Sequence, residues 1–181
     1  WQKEFEETGY YLSALDIESV EIVRSGNALV KGLSGLTGVI DIKTRIPEKE
    51  TLSVMAKYGE MNEYMSNVRY GNKNGKLAYT GSASFFGTDG VAGRNGKERI
   101  SGVYGNLDWN PDERWHVNAG AHYLHGLRQL VNISDPGAAN IKNRQEKFDP
   151  VRTLLSYVKT DYRSPGGSAT ELQVNLSHRD A

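Results

Sequence analysis

The chain has 181 residues, of which 38% are hydrophobic, with 10 Tyr, 3 Trp and 20 Gly; this is poor material for a helical core and normal for strands joined by tight turns. Lys plus Arg equal Asp plus Glu at 22 each, and there is no cysteine, so the charge footprint of nucleic-acid binding, a disulfide framework and a Cys-based zinc site are all excluded. No stretch of about 18 apolar residues exists, so no transmembrane helix is expected, and a signal segment, if the protein is exported, would lie upstream of Trp1.

Residues 1–9 are polar and acidic and show no clear period. The run Ser19-Val20-Glu21-Ile22-Val23-Arg24 alternates and is β-branched, which predicts a short strand. Gly26, Gly32, Gly35 and Gly38 then surround the apolar Ala28-Leu29-Val30, a pattern that suits a short helix between flexible corners. No Gly-Lys-Ser/Thr or G-x-G-x-x-G spacing accompanies these glycines, so turn formation explains them better than a phosphate cradle. Gly38 to Thr44 predicts a second strand, closed by Pro47. Residues 1–47 thus read as a small mixed α/β unit, separate from residues 48–181.

Beyond Pro47, seven segments alternate strictly, at 51–58, 64–71, 77–86, 99–109, 114–125, 151–162 and 168–178. Gly, Pro, Asn or Asp stand between them wherever the chain must reverse, which predicts an antiparallel meander. One face is apolar and the other polar. Leu52, Val54, Ala56 and Tyr58 oppose Ser53, Met55 and Lys57, and Leu172, Val174 and Leu176 oppose Glu171, Gln173 and Asn175.

The aromatic residues on the apolar side fall at strand ends. Tyr70, Tyr79, Trp109, Trp115 and Tyr162 lie near the short turns, while Tyr58, Tyr64, Phe85 and Tyr123 lie near the other ends. Two aromatic girdles around an aliphatic band suit a lipid interface, whereas a water-soluble sheet would place its rings centrally. Strands of about ten residues tilted by about 40–45° rise roughly 24 Å, close to the apolar band of outer-membrane barrels. Short turns alternate with the long 87–98 and 126–150 connections, as in such barrels. Seven strands do not close one, so the chain is expected to be a piece of a longer protein.

In this order the residues resemble the TonB-dependent outer-membrane receptor family. The resemblance rests on Ile17-Glu18-Ser19-Val20-Glu21-Ile22-Val23-Arg24, on Asn27-Ala28-Leu29-Val30-Lys31-Gly32, and on Thr37-Gly38-Val39-Ile40-Asp41-Ile42-Lys43-Thr44-Arg45, followed by Asp89-Gly90, Asn95-Gly96 and Asn106-Leu107-Asp108-Trp109-Asn110-Pro111. It implies the C-terminal part of a plug domain (1–47), then the N-terminal strands (48–181) of a transmembrane antiparallel β-barrel of about 22 strands with a plugged lumen. It also implies TonB-dependent active uptake of a scarce nutrient, a ferric siderophore above others, across the outer membrane of a Gram-negative bacterium. The TonB-ExbB-ExbD complex, the nutrient and outer-membrane lipid would be its partners.

Glu21 and Arg24 are then candidates for coupling plug movement to the barrel. Arg94, Asn95, Arg128 and Gln129, in the two long connections, are candidate ligand-binding residues, because loops at a barrel mouth meet ligands first. His122 and His125 stand three apart on a predicted strand and so point to opposite faces, which disfavours a shared metal. No catalytic constellation, metal cluster or cofactor motif stands out, so an enzyme is not expected. The competing reading is a soluble all-β binding or adhesion module; a barrel enzyme or simple porin is a third.

Overall fold

The computed structural model describes residues 13–24, 38–92, 95–130 and 147–180. It divides into two compact units, Trp1–Ile46 and Pro47–Ala181. In the first, strand β1 (Ile17–Arg24) pairs antiparallel with β2 (Gly38–Thr44). The ribbon is closed at its far end by Arg45, whose backbone N–H donates to the Asp16 carbonyl at 2.8 Å. Both expected strands are therefore present, and the helix expected between them falls outside the described residues.

The second unit is one open sheet of seven strands in chain order: β3 (Thr51–Tyr58), β4 (Tyr64–Asn74), β5 (Leu77–Thr88), β6 (Glu98–Trp109), β7 (Trp115–Gln129), β8 (Lys147–Arg163) and β9 (Ala169–Asp180). Every neighbouring pair is antiparallel. Such a meander follows from short polar connections, because a chain that reverses within a few residues can pair only with itself. At the β4–β5 reversal Gly75 adopts φ +59°, which Asn74-Gly75 supplies at low steric cost.

Two strands outrun their sequence boundaries. The alternation predicts an end at His125 and a restart at Val151, yet pairing continues to Gln129 and begins at Lys147. A register shift between Gly126 and Arg128 carries the ladder onward. An extra residue in one strand breaks the period of two, so alternation cannot reveal strand beyond a bulge.

Candidate functional site

The two faces of the sheet have reversed solvent exposure. The apolar face is open: Leu52 is 67% exposed, Val54 69% and Leu176 67%. The polar face is closed over its central strands, with Asn67 1% exposed, Arg69 2% and Asn106 3%. Contiguous apolar exposure of this kind marks a contact with membrane or protein rather than with water. The aromatic girdles form as the spacing predicts. At the turn side Tyr70 lies 6.3 Å from Tyr79, and Trp115 4.6 Å from Tyr162; at the loop side Tyr64 stacks on Phe85 at 5.5 Å.

Along the strands, register sorts the polar face into bands. Toward the long loops, just inside the Glu98–Arg128 pair, runs an apolar row, Met65–Phe86–Ile100–Gly126–Val151, one residue from each of β4 to β8. A band of amides, hydroxyls and rings follows. Here the Arg69 guanidinium donates to Thr80 Oγ1 at 3.1 Å, and the Tyr104 ring meets His122 edge-on at 6.2 Å. Tyr157 of β8 lies over Gly120 of β7, and its hydroxyl accepts from Asn106 Nδ2 of β6 at 2.7 Å. One phenol thus spans three strands, and only a residue without a Cβ leaves room for its ring between them.

The turn-side band is charged. His116 Nε2 lies 2.7 Å from Asp108 Oδ2, and its Nδ1 3.0 Å from Asp161 Oδ2. Asn118 donates to the same Asp108 oxygen at 3.1 Å, and Lys159 reaches Glu171 at 3.3 Å. These contacts tie β6, β7, β8 and β9 side by side. The histidine is therefore committed to bridging strands. His122 and His125 stand on opposite faces, His122 buried and His125 exposed, as the alternation predicts.

At the loop end, the connection after β5 is held from both sides. Asp89 donates its backbone N–H to the Met61 carbonyl at 2.9 Å, accepts from Asn62 Nδ2 at 2.7 Å and pairs with Arg99 at 2.5 Å. The Asn62 amide, and after it the Arg99 guanidinium, hold the Asp89 carboxyl below the usual aspartate range. Arg99 also lies over the Tyr64 ring, 5.3 Å from its centroid. Met61 and Asn62 both adopt left-handed φ, 58° and 53°; asparagine tolerates this readily, whereas methionine does so only when its surroundings fix it. This clasp is invisible to sequence reading, because Asn62 and Arg99 stand 27 and 10 positions from Asp89; the local signal is the Asp89-Gly90 turn.

Three of the candidate ligand residues hold the protein together at this end. Asn95 Nδ2 donates to the Leu130 carbonyl at 3.0 Å, and Gln129 Oε1 accepts the Lys97 N–H at 3.1 Å. Arg128 pairs with Glu98 at 2.9 Å, with both side chains mostly covered. The structure brings these three together around the stems of the two long connections; Arg94 lies outside the described residues. In the first unit, Glu21 is exposed on β1, opposite Asp41 in register. Its position and that of Arg24, three apart on one strand, alternate to opposite faces of the ribbon.

No protein-family model matches the sequence. Two solved structures share its fold. The first is FpvA of P. aeruginosa, bound to heterologous pyoverdine and iron, with a TM-score of 0.68, 16% identity, and coverage of 93% of this chain and 25% of that one. The second is FpvAI in complex with pyocin S2, with a TM-score of 0.70, 15% identity, and coverage of 93% and 24%. The chain thus spans about a quarter of the length of the structures it matches. Over that length, it has the fold of the TonB-dependent receptor FpvA, the fold that its sequence resemblance implies.

Proposed function

We propose that this chain is the end of the plug and the first wall strands of a TonB-dependent receptor in the outer membrane of a Gram-negative bacterium. In this reading the receptor imports a scarce nutrient, with a ferric siderophore as its cargo, and TonB-ExbB-ExbD supplies the energy. It acts by binding and gated passage, with no bond made or broken. The reversed exposure of the central strands carries the reading: the aliphatic face stands open, while Asn67, Arg69, Thr80, Ser82, Asn106 and Asp108 are closed in. A water-soluble β protein places these the other way. The shared fold with FpvA, whose solved complex holds an iron-loaded pyoverdine, supports the class of cargo.

The intact protein that carries this chain should leave the membrane only with detergent. It should also migrate faster on a gel unheated than boiled, as a closed barrel does. A protein that stays soluble without detergent would instead favour a binding or adhesion module. Uptake of radioactive iron as a ferric siderophore should stop when the proton-motive force is collapsed, and uptake indifferent to that collapse would remove the energised-transport reading.

A further inference from the structure

The apolar face of the sheet carries a sided set of charges. Among the described strand residues, its basic positions are Arg99 on β6, His125 on β7, Lys147 and Arg152 on β8 and His178 on β9. All five stand in the loop-side half of their strands, and Lys147 is held by Asp149 at 3.2 Å. The turn-side half of the same face ends in aromatic rings and holds no Lys, Arg or His. Arg99 is held by Asp89 and stacked on Tyr64. His125 and Arg152 differ: they are direct cross-strand partners, and both are exposed. One row toward the middle of the strands stand Tyr123 and Leu154, 44% and 41% exposed on the same face.

An arginine on a lipid-facing strand extends its head toward the interface, because its charge is costly at hydrocarbon depth. At the interface a guanidinium finds its best partner in a phosphate, whose oxygens match its planar fork, and an imidazole adds a further donor. A lipid whose acyl chains cover Tyr123 and Leu154 brings its headgroup to this height. A soluble anion would have no use for the apolar part of the site.

On this basis, and resting on the membrane reading above, we propose that the His125–Arg152 pair docks the phosphate of an anionic lipid headgroup in the leaflet on the loop side.

The test uses the intact protein, inserted into bilayers of phosphatidylcholine mixed with phosphatidylglycerol or with phosphorylated lipid A, and then stripped of loosely held lipid. Native mass spectrometry counts what stays bound. The anionic lipids should be retained at least about fivefold over phosphatidylcholine, the factor that one basic residue near an anionic surface supplies. Arg152→Gln with His125→Gln should abolish the preference, and Arg152→Lys should keep most of it. Inorganic phosphate should not displace the bound lipid.

Equal retention of charged and zwitterionic lipid by the unaltered protein would overturn the proposal. So would an unchanged preference in the double variant, provided that its faster-migrating unheated band shows that it folded. Failure of the unaltered protein to enter any bilayer would be a different result, and would remove the membrane reading itself.

Discussion

The same residue type meets opposite surroundings on the two faces of the sheet. On the polar face, a Cβ on Gly126 would run into the backbone of Arg99 and Ile100, one on Gly120 would meet the Tyr157 ring at 2.6 Å, and one on Gly102 would meet Ser84 Oγ at 2.7 Å. On the apolar face, a Cβ on Gly81 would meet nothing within 4 Å, and one on Gly105 only the Thr80 carbonyl at 4.0 Å, while at the loop end one on Gly87 would run into the Tyr64 ring. The polar side is thus packed by the protein itself, while the middle of the apolar side is left bare for whatever solvent lies beyond it. Close packing is felt one methyl group at a time, so these glycines are probes of where the packing stops.

Gly126→Val should have the largest effect. Its side chain would overlap backbone that cannot swing away, where the register shift joins β6, β7 and β8. We expect destabilisation of about 3 kcal/mol, the upper end for overpacking, read as a lower denaturant midpoint of the folded intact protein. A change under half of that would mean that the loop end of the sheet is loose. Gly120→Ala should be milder, because the atoms it meets belong to a side chain. Tyr157 would have to tilt, lengthening its 2.7 Å contact with Asn106. A loss of about 1–2 kcal/mol is expected, that of one buried hydrogen bond with some strain. The companion Tyr157→Phe should make Gly120→Ala cheaper in a double-mutant cycle; strict additivity of the two would break the coupling inferred here.

Gly81→Val should have the smallest effect and the opposite sign. The site is open, and replacing a strand glycine with a β-branched residue removes backbone freedom from the unfolded chain. A gain of about 0.5 kcal/mol is expected in lipid or detergent. A large loss there would show that protein covers the bare face, and the contrast between the two sides would dissolve.

Much of this was legible beforehand because a strand repeats every two residues. The alternation of Leu52, Val54 and Ala56 against Ser53, Met55 and Lys57 announces both a strand and its two environments, and the strand is there with those faces. Turn residues announce the reversals for the same local reason. The roles of polar side chains at the loop end were not legible. Asn95, Arg128 and Gln129 look like residues awaiting a ligand, since each sits in or beside a long connection. Their bonds to Leu130, Glu98 and Lys97 depend on which stems the fold sets side by side. Arg128 keeps the alternation of β7, and the extra residue lies in β8, between Phe148 and Val151.

Sequence by itself determined the meander, the strand faces and the girdle positions of Tyr70, Tyr79, Trp109, Trp115 and Tyr162, because each depends on neighbours within one strand and one turn. Only the tertiary structure decided that His116 bridges Asp108 and Asp161, that Tyr157 reaches across Gly120 to Asn106, and that Asp89 closes on Asn62 and Arg99. Those contacts join residues 8 to 51 positions apart. They exist only once register has brought the strands together, and no local period encodes a register.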